Sequence, residues 1–169
     1  SSGARSDATP PTGALVVGVL SYQDAETIGR VTTAVRDGLA RHFAGVASRV
    51  VLVDSGSTDN TVARARSALG GGDLLASPPQ RTTADLLDLP YNGIPGKARA
   101  LHTILATARD WKARACVILD GGVQTITPDW IDWLVRPIHE QTFDFVSPYY
   151  HRHPFEGALT KGFVSPLVR

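Results

Sequence analysis

The chain has 169 residues and nearly balanced charge, with 17 lysine and arginine residues against 16 aspartate and glutamate residues. A chain of this length buries enough apolar surface to form a hydrophobic core without a metal or a disulfide. The balanced charge argues against the broad cationic face of a nucleic-acid-binding protein, so we expect small-molecule partners.

Cys116 is the single cysteine, which excludes a disulfide within the chain. It lies in an apolar run, and a buried thiol in a reducing compartment fits better than a catalytic nucleophile. No apolar stretch approaches the ~20 residues that cross a bilayer, and the pattern of a secretory signal peptide is absent. We therefore expect a cytoplasmic protein without a membrane span.

The first third of the chain predicts one strand and one helix. Residues 1–12 are rich in serine, proline and small polar residues, and we expect a disordered leader before a domain at 13–169. The apolar run 14–20 predicts a strand that is covered on both faces. Asp24 is expected to cap the helix that follows. The inward stripe of this helix is predicted to be Ile28, Val31, Val35, Leu39 and Phe43.

A second strand is predicted at 50–53, followed by a helix that either Ser57 or Asp59 caps. This helix is expected to end at the glycine run 70–72. Residues 73–76 can form a short third strand, and the long segment 77–95 is expected to be a functional loop. The inward residues of the helix are predicted to be Val62, Ala65 and Leu69.

The remaining elements alternate in the same way. Gly96 opens a helix, 115–119 predicts another strand, and Thr127 with Pro128 starts a further helix as a cap followed by proline in the first turn. A last strand is predicted at 143–146 and a last helix at 157–167. The alternation of strands and helices indicates an α/β fold with a mostly parallel sheet flanked by helices. The inward residues are predicted to be Leu101, Ile104, Leu105 and Ala108 in the earlier helix and Trp130, Leu134 and Ile138 in the later one.

Acidic residues follow the first, second and fourth predicted strands, at Asp24, Asp54 and Asp120. Taken alone, Asp54 is explained as the cap of a turn. Ligands of open α/β sheets bind beyond the carboxyl ends of the strands, and three acids gathered there repel one another unless a cation or ligand hydroxyls bridge them. Their shared position therefore predicts a binding site.

Several motifs resemble one family. Residues 54–61, Asp-Ser-Gly-Ser-Thr-Asp-Asn-Thr, resemble the Asp-x-Ser-x-Asp-x-Thr signature of nucleotide-sugar-dependent glycosyltransferases with the GT-A fold, and 22–24 occupy the place of their first acidic motif. Residues 95–97, Pro-Gly-Lys, resemble an element of glucosyl-3-phosphoglycerate synthases and mannosylglycerate-type synthases. Residues 120–122, Asp-Gly-Gly, fall where these enzymes carry Asp-x-Asp. The resemblance implies a Rossmann-like GT-A domain that lacks the C-terminal part of the usual domain.

The resemblance also implies roles for individual residues. Lys97 would meet the nucleotide as a point charge, and Asp120 would bind Mg²⁺ or Mn²⁺ that bridges the diphosphate. Gly122 replaces the second aspartate of Asp-x-Asp, which weakens the expected metal site. The implied nucleotide-sugar-binding residues are Tyr22, Asp24, Asp54, Ser55, Lys97, Asp120 and Gly121.

The acceptor side is assigned by resemblance to the Tyr-x-Arg and Gly-Arg-Val-Thr segments of the same enzymes. Ala158 stands where the second segment has arginine. His151 and His153 fit a solvated polar turn as well as a ligand role. The implied acceptor-binding residues are Tyr150, Arg152, Gly157, Thr160 and Lys161.

The main hypothesis from the sequence is a metal-dependent glycosyltransferase that moves a hexose from a nucleoside diphosphate sugar to a small hydroxylated acceptor, such as a glycerate-like acid. The alternative is a non-catalytic nucleotide-sugar-binding module or partner subunit with the same fold. A nucleotidyltransferase is ranked last, because residues 21–24 are neither glycine-rich nor basic. An exposed sheet edge would also allow a homo-oligomer or association with a partner chain.

Overall fold

The computed structural model describes residues 13–70 and 96–148. Strands and helices alternate through most of these ranges. The elements are β1 (Leu15–Ser21), α1 (Ile28–His42), β2 (Ser48–Asp54), α2 (Thr61–Leu69), α3 (Lys97–Asp110), β3 (Ala115–Asp120) and α4 (Asp129–Glu140).

The three strands form one parallel sheet in the order β2-β1-β3. The register pairs Ser21 with Asp54 and Leu20 with Asp120, so the strands end at nearly the same level. The predicted α/β class with a parallel sheet is therefore confirmed. Because all three strands run in one direction, the residues that follow them meet at one edge of the sheet, which we call the carboxyl edge.

The apolar patterns of β1 and β2 arise because this part of the sheet is covered on both faces. Residues of α1 and α4 pack on one face, beside Val17 and Val19. Residues of α3 pack on the other face, beside Val16 and Leu20. All seven residues of β1 are buried, as expected for the central strand of a sheet between two helical layers.

Helix α3 brings its first residue to the carboxyl edge. It crosses β1 at Gly18, where a β-carbon would lie 2.4 Å from Cγ2 of Ile104. The helix ends at Asp110, only a short turn before β3 begins at the opposite edge of the sheet. A helix of 14 residues is roughly 20 Å long at 1.5 Å per residue. Lys97, its first residue, therefore lies toward the carboxyl edge.

The predicted inward stripe of α1 is confirmed, since all five of its residues are buried. The predicted cap is wrong. The Asp24 carboxylate accepts the Tyr22 N–H instead (3.0 Å), and the Asp24 carbonyl accepts the N–H groups of Thr27 and Ile28. The side chain therefore turns toward the carboxyl edge and away from the helix.

The predicted cap of α2 is wrong for both candidates, because Asn60 occupies the N-cap position and makes no side-chain capping bond. The Asp59 carboxylate accepts the N–H of Thr61, the first helical residue, at 3.0 Å, whereas Ser57 is bonded to Asp54 and Gln23 and does not cap the helix. Ala65 is fully buried as predicted, while Val62 and Leu69 are half-buried.

Two predicted inward faces need correction. Leu105 of α3 is 52% exposed, because the face of α3 that packs on the sheet is centred on Ala100, Ile104 and Ala108. In α4 the fully buried residues are Ile131 and Val135. Trp130, Leu134 and Ile138, which were predicted to face inward, are partly buried and pack at the margin of the core.

The start of α4 and the predicted strand at 143–146 also differ from the prediction. Helix α4 begins at Asp129, and neither Thr127 nor Pro128 makes a side-chain capping bond. Residues 143–146 form no strand, because the Phe143 N–H donates to the Pro137 carbonyl (3.2 Å) in the turn that ends α4. Phe145 is 79% exposed, so the alternating pattern of this segment does not bury an apolar face. The leader, the strand at 73–76, the loop at 77–95 and the helix at 157–167 lie outside the described residues.

Candidate functional site

The carboxyl edge gathers the ends of all three strands. The Ser55 N–H donates to the Ser21 carbonyl (2.9 Å), and the Gly121 N–H donates to the Leu20 carbonyl (2.7 Å). Parallel pairing therefore continues one residue past β2 and β3. The turns after β1, β2 and β3 lie side by side as a result, and the three acids predicted from the sequence share this edge.

Asp54 is the last residue of β2, where the turn begins, and is only 5% exposed. Its carboxylate accepts four hydrogen bonds, from the hydroxyl groups of Ser21 and Ser57 and from the N–H groups of Gly56 and Ser57. A carboxylate offers about four lone-pair positions in all. Asp54 is therefore occupied by the turn that follows it and by Ser21 of β1, and its bonding is that of a residue that organises the site.

Hydroxyl groups of residues 57–61 join the turn after β2 to the turn after β1. The Ser57 hydroxyl accepts the Gln23 N–H (2.9 Å), and the Thr58 hydroxyl accepts a Gln23 side-chain N–H (2.9 Å). The Thr61 hydroxyl accepts the Asp24 N–H (2.9 Å). The sequence assigned no site role to these hydroxyl residues, although they belong to the motif 54–61 from which the family resemblance came.

Asp24 is a half-buried acid close to other acids. Burial is the main cause that raises the pKa of its carboxyl group, and the negative charges of Asp120, Asp59 and Asp54 raise it further. The N–H of Tyr22 opposes this effect by donating to the carboxylate. An acid in this position gains from any cation or hydrogen-bond donor that a ligand brings.

The two glycines after Asp120 leave room between the acids. A β-carbon on Gly121 would lie 2.7 Å from Oδ2 of Asp24 and 3.0 Å from the Leu20 carbonyl oxygen, so a side chain does not fit there. A β-carbon on Gly122 would lie 3.3 Å from Oδ1 of Asp24 and equally 3.3 Å from Oδ1 of Asp120. One carboxylate oxygen of Asp24 and one of Asp120 thus lie at the same distance from a single point beside the Gly122 backbone.

This pair of carboxylates offers two oxygen ligands to a divalent cation. The described ranges contain no group of three or more histidine, cysteine, aspartate or glutamate residues that would hold a metal alone. Mg²⁺ in nucleotide sites is commonly held by one or two carboxylates together with phosphate and water oxygens. Asp24 and Asp120 therefore fit a cation that binds together with a diphosphate.

The other residues assigned to the nucleotide sugar differ in exposure. Tyr22 is half-buried, and Lys97 is exposed at the first position of α3, after Gly96 in a left-handed conformation (φ 69°). Ser55 is 3% exposed, and within 13–70 and 96–148 its hydroxyl has no hydrogen-bond partner. All five residues assigned to the acceptor, from Tyr150 to Lys161, lie outside the described residues.

In the part of the chain that the structure describes, we find no helix with the length and apolar character needed to cross a membrane.

Several solved structures with a similar fold are of mycobacterial proteins. A mycobacterial protein of known crystal structure is 28% identical, and the match covers 93% of this chain and 47% of that protein with a TM-score of 0.62. Glucosyl-3-phosphoglycerate synthase from Mycobacterium tuberculosis, in complex with phosphoglyceric acid, is 24% identical over 93% of this chain and 50% of the enzyme, with a TM-score of 0.63. The same enzyme in complex with Mn²⁺, UDP-glucose and phosphoglyceric acid matches with 24% identity over 93% and 49% of the two chains, also with a TM-score of 0.63.

The chain spans about half the length of these proteins. No protein-family model matches the sequence, and no curated protein matches it either. The structural likeness confirms the GT-A fold that the sequence motifs implied.

Proposed function

We propose that this chain forms the donor-binding part of a glycosyltransferase that moves a hexose from a nucleoside diphosphate sugar to a small hydroxylated acceptor. The observation that carries the proposal is the pair of acids, Asp24 and Asp120, that borders the glycine turn at the carboxyl edge. Nucleotides bind α/β sheets at this edge. The similar structures support the proposal, since the Mycobacterium tuberculosis enzyme was crystallised with UDP-glucose and phosphoglyceric acid.

The base and ribose of the donor would lie against the turns after β1 and β2. Tyr22 and Ser55 would line this wall, and the Asp24 carboxylate would accept hydrogen bonds from base N–H or ribose hydroxyl groups. Asp54 belongs to the same wall, but its four internal hydrogen bonds favour a supporting role over direct contact. The nucleotide would then rest on a surface whose shape Asp54 maintains.

The diphosphate would lie between the turn after β3 and the start of α3. Gly121 allows the phosphates to approach the backbone closely, because it has no side chain. Lys97 would contribute a positive charge at the amino end of α3, where the helix dipole also favours an anion.

The carboxylates of Asp120 and Asp24 would hold Mg²⁺ or Mn²⁺ together with the diphosphate. Such a cation stabilises the negative charge of a departing nucleoside diphosphate. Because Gly122 supplies no carboxylate, we propose that the cation binds weakly to the free chain and more tightly once a nucleotide is present.

The acceptor would bind to residues 150–161, and a glycerate-like acid is the best candidate. Arg152 and Lys161 would pair with its carboxylate or phosphate group, and Tyr150, Gly157 and Thr160 would also contribute to acceptor binding. The absence of arginine at Ala158 removes one bidentate contact, so a phosphorylated acceptor would be held less strongly than in the similar synthases.

Calorimetric titration with UDP-, GDP- and ADP-sugars, each with and without Mn²⁺, tests donor binding. We expect one donor to bind and Mn²⁺ to increase its affinity. Asp120→Asn should remove most of the increase, whereas the exposed Asp110→Asn, which loses only a pair with Arg109, should keep it. The proposal would be wrong if none of these donors bound.

A non-catalytic nucleotide-sugar-binding module is the second candidate, and Gly122 and Ala158 are the residues that favour it. Mass spectrometry of a reaction with the bound donor and 3-phosphoglycerate or glycerate separates the two functions. A glycosylated product together with released nucleoside diphosphate supports the transferase. Donor binding without any product from either acceptor supports the binding module.

A further inference from the structure

We propose that Thr61 is a positioning residue that holds Asp24 in its place opposite Asp120, so that its hydroxyl group sets donor affinity without touching the donor. This inference rests on the proposed donor site and names a residue through which that site is maintained. Thr61 is the first residue of α2 and is fully buried. Its hydroxyl accepts the backbone N–H of Asp24 at 2.9 Å.

The direction of this hydroxyl is fixed by its second partner. The Thr61 hydroxyl donates its single hydrogen to Oδ1 of Asp59, a carboxylate that can only accept. The oxygen lone pairs are therefore left to accept the N–H of Asp24. Oδ2 of Asp59 also accepts the Ala25 N–H (3.1 Å). Two consecutive N–H groups of the turn after β1 are therefore bonded to side chains at and just before the start of α2.

The turn after β1 needs these contacts from outside the turn for two reasons. Gln23 has a positive φ of 57°, a conformation that is uncommon for a residue with a side chain. In addition, the Asp24 carboxylate lies beside Asp120, and like charges at this distance repel each other. Without the Thr61 contact, both effects would favour movement of Asp24 away from the turn after β3.

A small movement of Asp24 matters because the space beside it is narrow. The position that a β-carbon of Gly121 would occupy is only 2.7 Å from Oδ2 of Asp24, and the Gly122 position is 3.3 Å from Oδ1. A donor diphosphate or a cation that uses this space depends on the exact placement of both oxygens. The Thr61 hydroxyl therefore acts on the donor through the Asp24 backbone.

Thr61→Val tests the inference, because valine has the same shape but lacks the hydroxyl. With UDP-glucose and Mn²⁺ as the probe in calorimetry, we expect the dissociation constant to rise by about tenfold, the change that corresponds to one lost hydrogen bond. Thr61→Ser keeps the hydroxyl and should restore affinity to within about twofold, well inside the energy of one such bond.

Thr32→Val is the matched control. Thr32 is equally buried, and its hydroxyl donates to the Ile28 carbonyl inside α1 (2.7 Å). This variant should lose thermal stability to a similar degree as Thr61→Val and should leave the dissociation constant unchanged. If a general loss of stability caused the effect, the dissociation constant would rise in both variants alike.

A double-mutant cycle with Asp24→Asn identifies the route of the effect. If Thr61 acts through Asp24, Thr61→Val should cost much less affinity in the Asp24→Asn background than in the wild type. Asp59→Ala provides a second variant at an exposed position in case Thr61→Val does not fold. It removes the acceptor that orients the hydroxyl and should also raise the dissociation constant.

Unchanged affinity in Thr61→Val or, where that variant does not fold, in Asp59→Ala would overturn the inference. An equal cost of Thr61→Val with and without the Asp24 carboxylate would overturn it as well. If the wild-type chain bound no UDP-glucose, whereas another donor of the panel bound, the same variants would be compared with that donor. If the wild-type chain bound none of the donors in the panel, the proposed function and this inference would both be overturned.

Discussion

Asp54→Asn should destabilise the protein strongly, because four donors converge on one buried carboxylate. The amide of asparagine keeps one accepting oxygen and places an NH₂ group opposite donors that the carboxylate satisfied. Hydrogen bonds to charged groups contribute about 1.5–3 kcal/mol each. Gly56 and Ser57 are half-buried residues whose turn is reached by water, whereas Ser21 is fully buried and its hydroxyl is not. We therefore expect a loss of about 2–4 kcal/mol in the free energy of unfolding.

Urea unfolding followed by circular dichroism measures this loss. With an m-value of about 2 kcal/mol/M, the midpoint should fall by about 1–2 M while m stays constant. Asp110→Asn is the control, since the Asp110 side chain is 71% exposed and forms its ion pair with Arg109 on the surface; we expect a change below about 1 kcal/mol. If Asp54→Asn were as stable as the control but lost donor affinity, Asp54 would be a direct donor contact and the organising role would be refuted.

Two further substitutions test the described structure. Gly121→Ala would place a β-carbon 2.7 Å from Oδ2 of Asp24 and should reduce donor affinity at least about tenfold, a cost near 1.4 kcal/mol. The control is Gly45→Ala, whose β-carbon would meet no atom within 4 Å and which should bind the donor normally. Equal donor affinities of the two variants in calorimetry would contradict the close approach of Gly121 to Asp24. Burial raises the pKa of the Cys116 thiol to about 11. The thiol of the unfolded chain therefore ionises at lower pH than that of the folded chain, and stability should fall as the pH rises from about 9 to 11. Urea midpoints measured at these pH values should fall less in Cys116→Ala, and an identical fall in both proteins would contradict the shift.

The strands and the first helix were predictable from the sequence because the order of apolar and polar residues within each element shows which of its residues are buried. A central parallel strand is covered on both faces, so β1 reads as an unbroken apolar run. Helix α1 buries one face, and its apolar residues recur at helical spacing. Leu105 and the segment 143–146 were predicted wrongly because apolar spacing does not say which face a neighbouring element covers. The turn from Phe143 back to Pro137 depends on the end of α4 and has no signature in the residues of the segment itself.

The acids of the candidate site could be found because each follows a strand. The contacts that place them could not be found in this way. Gln23 and Ser57 are 34 positions apart, and Asp24 and Thr61 are 37 positions apart, so both hydrogen bonds depend on how two turns meet in the folded sheet. The same limit explains why Asp24 was expected to cap a helix. Its preference for the carboxyl edge arises from the Tyr22 N–H and from the adjoining turn, and both are properties of the assembled sheet.

The most direct test of the central claim is a map of donor binding by NMR. The donor sugar that binds in calorimetry, titrated with Mg²⁺ into ¹⁵N-labelled protein, should shift the amide signals of Ser57, Gly121, Gly122 and Lys97 in proportion to saturation. The amides of Leu15 and Ala115, at the opposite edge of the sheet, should stay unchanged. The account predicts shifts confined to the carboxyl edge, and saturable shifts centred on the opposite edge, or none at all, would contradict it.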